Sequence, residues 1–513
     1  MYRKSDPEKV EKYLDLLPKL RKAIGLSKID GGIQLTDHDT GFAVELSDEF
    51  LSETITSPEK KKELVSNFEA MGLIDPAQSL FEIRKLQRSF LDASHSSLLD
   101  RVRERLCDIT AQIPFFKKNK SIYDVNRIKT IEDFQKLPFM RKKDLRESFP
   151  GNLLPQDVNV SSEIENGTLK LVSTSGSTED RLQIIVKNQL DRLPFGSDDL
   201  FGISIGGKQP RTAILTTPVC SGSECSLGND SYEDRLSKSF PDLYLQAMRD
   251  PFSVQRPVIE AFCTDIEKFK PTILLVDPIY MQCIARKANE LNIKLPKVDV
   301  IQHSFEYGPK TALRDLNNLF KSKLFNSYGA SEENRLAVQC HRGALHVRSD
   351  VVYLEIVNSK GPCDPGEVGS VVITTFDSVT PLIRYLIGDI ASWTGKNCDC
   401  AFSLWPTIDF HGRSKDMIFS NNLWHSTLTI DRAIGAPEWL DFCHVIQHDK
   451  NAYEVKLIPS LGNSVNLPDI SQRLEDYINP KNIFFKEVTR LGIQQSLKVG
   501  FTQNKFSGAP ELL

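Results

Sequence analysis

Between Lys170 and Ile184 the chain reads KLVSTSGSTEDRLQI. A strand-like start (Leu171, Val172) empties into small and hydroxyl-bearing residues. Backbone N–H groups and hydroxyls in such a loop suit phosphate oxygens. Thr174, Ser175, Gly176, Ser177 and Thr178 are therefore a candidate phosphate cradle. A lysine usually completes a phosphate loop, yet Glu179, Asp180 and Arg181 follow here. A second loop, GISIGGKQ from Gly202 to Gln209, nearly fits the pattern of Gly, four residues, then Gly-Lys-Ser/Thr. Gln209 stands where the magnesium-binding hydroxyl belongs and no convincing strand precedes it, so a surface turn is the better reading.

Metal binding is the other chemistry the spacing allows. CHRGALH places Cys340 six residues before His346, and NCDC places Cys398 and Cys400 two apart. Three thiolates and one imidazole make a closed tetrahedral structural zinc site. Cys-x-Cys is weak by itself; His341 is an alternative fourth ligand, and four unligated residues are the plain reading.

These residues need elements to position them. PTILLVD reads as a buried strand, PIYMQCIARKANELNI as a helix opened by Pro278, and KVDVIQHS as the next strand; PKTALRDLNNLFKS and KLFNSYG continue the alternation. Strand–helix–strand–helix–strand implies parallel strands with right-handed crossovers. In such α/β sheets ligands collect at the C-terminal ends of strands, where HSFEYG and SYGASEE sit. An amphipathic helix is expected from about Leu98 to Gln112, ending before Pro114. GGIQLTDHDTGFAVELSDEF reads as a hairpin with HDTG as its turn.

At 513 residues the chain exceeds one hydrophobic core, so two to four domains are expected. Residues 1–85 read as an N-terminal extension, 86–415 as a large multi-subdomain region with parallel βαβ sheets, and 416–513 as a small α+β C-terminal domain. A net charge of −4, with 40% hydrophobic and 26% charged residues, describes an ordinary globular protein and gives no reason to expect nucleic acid or a membrane as partner. No apolar run approaches the roughly 18 residues a bilayer span needs. The charged N-terminus lacks a signal-peptide core, which makes the cytoplasm the expected location. Ten scattered cysteines point to reduced thiols or a metal site rather than disulfides.

Four stretches resemble the adenylate-forming superfamily, and within it the phenylacetate–CoA ligase-like branch. They are IPFFKKN…TIEDFQKLPFMRKKDLRESFPGNLL (113–154), STSGSTED, NSYGASEE (326–333), and VGSVVITTFDSVTPLIRYLIGD followed by GRSKDMI. They cover roughly residues 85–505 in the family's order. The resemblance implies ATP-dependent activation of an organic acid, aryl or acyl, as an acyl-adenylate with release of pyrophosphate. It further implies transfer of the acyl group to CoA or another nucleophile: an amine, a peptide or a carrier-protein thiol. A homodimer is among the assemblies expected.

On that resemblance the hydroxyl loop holds the β- and γ-phosphates. Ser331 and Glu332 touch the α-phosphate and hold Mg²⁺, for which one carboxylate beside phosphate oxygens is reasonable. Tyr328, followed by Gly329, stacks on adenine. Asp389 bonds the ribose hydroxyls with help from Arg413. Glu306 matches a Gly-Gly-Glu-like segment near adenine and the acyl pocket; His303 lines the acid pocket or is structural. Lys415 falls on the hinge about which the C-terminal domain rotates. Lys498 matches the lysine that contacts acyl phosphate and carboxylate. The branch also often carries a Cys/His pair and a Cys-x-Cys at the two places seen here.

The departures are as specific. The phosphate loop lacks its usual Gly and Lys, leaving Arg181 or Lys187 to supply charge. Leu386 and Ile387 replace the commoner Arg-Thr. Asn422, Trp424 and Thr427 stand where CoA-using relatives have a Gly that permits close backbone approach. Two rivals follow: an amide- or peptide-forming ligase without CoA, and a degenerate nucleotide- or partner-binding member. The N-terminal extension is similar to small winged-helix-like recognition modules, with a packing extension as the plainer reading.

Overall fold

The computed structural model describes residues 98–506 except 157, 174–181, 189–209, 218–230, 238–239, 247 and 495–496, together with the backbone of three strands nearer the N-terminus. The chain divides into two compact units, Met1–Arg101 and Val102–Leu513. In the first, β1 (Ile24–Ile29), β2 (Gly32–Asp37) and β3 (Ala43–Ser47) form an antiparallel sheet in that order. The expected hairpin is β2–β3, with its HDTG turn outside the described residues. Strand β1 is an addition: IGLSKI is short and Gly/Ser-containing, and its pairing rather than its composition makes it a strand.

Helix α1 (Leu98–Gln112) buries Val102, Leu106 and Ile109, the i, i+4, i+7 stripe of an amphipathic helix. Four short helices follow: α2 (Pro114–Lys118), α3 (Ile131–Gln135), α4 (Lys142–Ser148) and α5 (Val160–Glu165). Thr130 and Asp133 close a capping box on α3, which satisfies two of its orphan N–H groups. Strands β4 (Leu169–Ser173) and β5 (Gln183–Lys187) pair as an antiparallel hairpin. The hydroxyl loop joins them, so Thr174, Ser175, Gly176, Ser177 and Thr178 lie outside the described residues. The same holds for Arg181 and for GISIGGKQ.

Among the described residues the main sheet has twelve strands. Strands β6 (Thr212–Leu215), β7 (Asp242–Tyr244), β8 (Ile273–Val276), β9 (Val300–His303) and β10 (Lys323–Tyr328) are all parallel. Helices α6 (Arg256–Phe269), α7 (Pro278–Glu290) and α8 (Lys310–Phe320) cross between them. One core unites Leu215, Leu274, Val276, Ile301, Ile266, Tyr280 and Leu316, as parallel strands with covered faces require. Beyond β10 the sheet turns antiparallel through β11 (Ala337–Gln339), β12 (Leu345–Val347), β13 (Val352–Asn358), β14 (Gly361–Pro362), β15 (Val368–Thr375), β16 (Tyr385–Trp393) and β17 (Thr407–Arg413). The order across it is β14-β13-β15-β16-β17-β12-β11-β10-β9-β8-β6-β7.

After the turn Ser414–Asp416 come the hairpin β18 (Ile418–Ser420) and β19 (Leu423–His425), then α9 (Thr427–Ile434), β20 (Leu440–Asp449), β21 (Ala452–Pro459), α10 (Leu467–Leu474), β22 (Ile483–Glu487) and β23 (Thr502–Asn504). The last four strands form a sheet ordered β22-β21-β20-β23. Ile430, Leu440, Val445, Val455, Leu457, Ile470 and Leu474 give this segment a core of its own. A second apolar cluster (Ile279, Cys283, Ala312, Phe442, Ile458, Val499) seats it on α7 and α8. Polar bonds finish the seam: Arg286 reaches Asp441 at 2.7 Å, and Arg314 donates to the carbonyls of Pro437 and Leu440 at 2.6 and 2.9 Å. The architecture is mixed α/β. Among the described residues no helix is long and apolar enough to cross a membrane.

Candidate active site

The parallel and antiparallel halves meet at β10, which pairs β9 on one side and β11 on the other. Tyr328 ends that strand. Its hydroxyl donates to Asp389 Oδ2 at 2.8 Å, and its ring stacks on Phe410 with centroids 4.5 Å apart. Asp389 on β16 faces Arg413 on β17 as register partners, with Arg413 Nε 3.6 Å from Asp389 Oδ1. Tyr328 and Asp389 are both buried.

Gly329 then makes a turn that a side chain would block. A Cβ there would lie 1.8 Å from the Asn334 carbonyl oxygen, far inside van der Waals contact. The turn carries Ser331 and Glu332. Glu332 is buried and accepts from the Tyr385 hydroxyl at 3.2 Å. Burial raises its carboxyl above the ordinary range, opposed first by the nearby Lys142 ammonium.

A third element arrives from the C-terminal segment. The Lys498 ammonium donates to the Phe305 carbonyl, and the Val499 N–H to Glu306 Oε2 at 3.2 Å. Tyr280 anchors the same loop by donating to the Leu497 carbonyl at 2.7 Å. Phe305 sits at φ +71°, a left-handed conformation costly for a bulky residue and usually held by its surroundings. Glu306 Oε1 is buried with no hydrogen-bond partner. Burial, then Asp277, pushes the Glu306 carboxyl well up, while Lys498 pulls it down. His303, buried at the end of β9, has its Nδ1 unpartnered and packed against Gly308; burial lowers its pKa to about 4. It is a neutral wall residue.

A cavity of about 1480 Å³ joins these groups: Glu306, Tyr328, Gly329, Asp389, Arg413, Lys415 and Lys498 all line it. Ser331 and Glu332 are not on that wall, and Glu332 is engaged by Tyr385. Lys187 is engaged elsewhere, its ammonium 2.6 Å from both Asp377 oxygens. Lys415 lies in the Ser414–Asp416 turn. On either side of it, His411 bonds Ser392 and Ser426 at 3.0 Å each.

Three contributors escaped sequence reading. Phe410 and Tyr385 are unmarked aromatics in apolar strands; the stacking of Phe410 on Tyr328 and the Tyr385 hydroxyl's bond to Glu332 give them roles. Asp431 was an acid in a helix. It accepts from the Tyr307 hydroxyl at 2.9 Å and the Lys310 N–H at 3.2 Å, joining the C-terminal segment to the rim of the cavity.

Cys340, His346, Cys398 and Cys400 converge, with all four ligand atoms within 4.8 Å of one another. Cys340 Sγ lies 3.6 Å from Cys398 Sγ, and Cys400 Sγ lies 3.3 Å from His346 Nε2. A tetrahedral zinc with bonds of about 2.3 Å to sulfur and 2.0–2.1 Å to nitrogen has edges of roughly 3.8 and 3.5 Å, so the set needs little movement to close. His346 Nδ1 lies 3.0 Å from the Trp405 carbonyl oxygen; donating there leaves Nε2 as the ligand, the usual second-sphere arrangement. His346, not His341, is the imidazole of the group.

No family model matches the chain. A phenylacetate-coenzyme A ligase from Thermus thermophilus is 22% identical over 350 residues, 66% of this chain and 73% of that protein. Crystal structures of 2-hydroxyisobutyryl-CoA ligase in the postadenylation state, with 2-HIB-AMP and with R3-HIB-AMP, superpose with TM-scores of 0.57 and 0.56. They are 15% and 16% identical, and each alignment covers 76% of this chain and 85% of the other. These share the fold, including the large region and the small C-terminal one.

Proposed function

We propose that this chain, a member of the adenylate-forming superfamily, is an ATP-dependent carboxylate ligase that makes an acyl-adenylate and passes its acyl group to a nucleophile. The carrying observation is the delivery of Lys498 by the C-terminal segment into the cavity that Tyr328, Asp389 and Arg413 line. The buried carboxylate of Asp389 suits a ribose diol, with Arg413 beside it as counter-charge. Tyr328 and the segment after His303 form the adenine walls. One face of the Tyr328 ring already rests on Phe410, which fixes the ring for stacking on the other.

The first half-reaction joins two anions. A carboxylate oxygen attacks the α-phosphorus as the bond to pyrophosphate breaks, so the protein must neutralise charge along that line. Lys498 is assigned the carboxylate and α-phosphate, and the hydroxyl loop the β- and γ-phosphates. Glu332 and Ser331 would hold Mg²⁺, which when bound neutralises triphosphate charge. Zinc on Cys340, His346, Cys398 and Cys400 would be structural, since four protein ligands leave no position for water. The turn at Lys415 is assigned the hinge between the 86–415 and 416–513 regions. The relative named as a CoA ligase favours a thiol acceptor.

Acid-dependent ATP–pyrophosphate exchange, screened across aryl, fatty and amino acids, tests this. Exchange with at least one class is expected, falling roughly 10²–10³-fold in Lys498→Ala. No exchange with any acid would refute it and favour a binding role without turnover.

A further inference from the structure

A second cavity, of about 750 Å³, lies against the base of the β4–β5 hairpin and shares no lining residue with the first. Small-ligand pockets usually measure about 300–1000 Å³. Ile109 on α1, Leu169 on β4, and Val379 and Pro381 before β16 give it an apolar wall. Arg105, Asp108, Glu163 and Lys187 are its charged groups.

The frame around it is tied down. The Ile185 N–H donates to Thr380 Oγ1 at 3.2 Å, and that hydroxyl donates back to the Ile185 carbonyl at 2.9 Å. The Asn188 N–H donates to the Thr168 carbonyl at 2.8 Å. Leu169, Ile185 and Val379 pack in one apolar cluster. A preformed wall of this kind lowers the ordering cost of binding.

Three of the four charges are already answered. Lys187 is paired with Asp377, Glu163 accepts from the Thr168 hydroxyl, and Asp108 is exposed to water. Arg105 is different. Its Nη2 donates to the neutral Ser378 carbonyl at 2.5 Å, and its Nε is buried with no hydrogen-bond partner. Among the described residues no carboxylate lies within ion-pair distance of it. Burial holds its pKa below the ordinary arginine value, and Asp377 and Asp108 oppose that only in part. A cation withdrawn from water without a counter-ion is costly, and a ligand that supplies one recovers that cost.

We propose that this cavity binds an amphipathic monocarboxylate, with its carboxylate on the Arg105 guanidinium and its hydrocarbon against Ile109, Leu169 and Val379. Guanidinium and carboxylate form the strong, charge-assisted kind of hydrogen bond. Asp108 and Glu163 on the same wall repel further negative charge, which disfavours a phosphate dianion. The site does not rest on the adenylation reading. Its occupant would sit at the base of a hairpin whose far end, roughly 13 Å away at strand rise, leads into the hydroxyl loop.

Binding of decanoate and of 4-phenylbutyrate to the full chain is measured by calorimetry, each beside its own carboxamide. At least one carboxylate should bind, and its carboxamide at least about tenfold more weakly, the worth of one charge-assisted hydrogen bond. Arg105→Met should weaken the carboxylate by a similar factor, and Val379→Trp, which fills the cavity, should abolish its binding. Amide hydrogen exchange in peptides spanning α1 and β4–β5 should slow with the carboxylate in the native chain and not in Arg105→Met. Denaturation midpoints separate a lost site from a lost fold. Where a variant does not fold, the carboxamide comparison and the exchange map of the native chain decide. No binding of either carboxylate at millimolar concentration overturns the proposal. So does binding that ignores Arg105→Met, or protection confined to the nucleotide cavity.

Discussion

Removing the Asp389 carboxylate tests the nucleotide site most directly, because that group makes two contacts in the structure and is proposed to make a third, to ribose. It accepts from the buried Tyr328 hydroxyl at 2.8 Å, faces Arg413 at 3.6 Å, and is assigned the ribose. Asp389→Ala strands the tyrosine hydroxyl, a cost to stability of about 1–3 kcal/mol for an unsatisfied buried group. Asp389→Asn keeps an acceptor for Tyr328 and should spare most of that. Both variants lose the charge-assisted bond to ribose, so KM for ATP should rise roughly ten- to hundredfold. The informative assay is exchange with ATP against 2′-deoxy- and 3′-deoxy-ATP. The native chain should discriminate against the deoxy analogues and the Asp389→Asn chain should not, a double-mutant cycle in which one partner is the ligand. If Asp389→Asn discriminates as the native chain does, Asp389 does not touch the ribose and the assignment fails.

Three further outcomes are expected. Purified protein should carry one zinc per chain; Cys400→Ser should lose it, and chelator should lower the denaturation midpoint, whereas no zinc and no chelator effect would sink the metal assignment. Burial pushes the Asp431 carboxyl up to about 6 from an ordinary 3.8. Its contribution to stability is therefore full below about pH 4 and lost as pH rises through 6, worth up to about 3 kcal/mol; urea midpoints across pH 4–7 should show this slope and Asp431→Asn should flatten it. Gly412→Ala places a Cβ 2.7 Å from Thr427 Oγ1 at φ +100°, so it should destabilise by about 1–3 kcal/mol, measured by denaturant titration; an unchanged midpoint would show that α9 is not locked to β17.

The parallel half of the sheet is readable because ILLV and VIQH are short, largely buried runs bracketed by helix signals such as Asp277–Pro278. The antiparallel half is not: β11 and β12 are three residues each, too short for a period to register. Cys340, His346, Cys398 and Cys400 stood out by residue type and by the resemblance together, Cys-x-Cys being weak alone, and the fold brings the four side chains to one place. Phe410 and Tyr385 did not stand out, because an aromatic at a strand position reads as core until its neighbour across the sheet is known. Lys187 shows the converse. It was a plausible phosphate partner by its place in the chain, and Asp377, 190 residues away, claims it instead.

The Lys498–Phe305 contact spans 193 residues, with its donor the later of the two along the chain. Chains emerge from the ribosome N-terminus first and fold region by region. Tyr328, Asp389 and Arg413 are therefore synthesised well before the lysine that would act on what they hold. On the proposed function, a growing chain would gain the means to grip a nucleotide before the means to spend it.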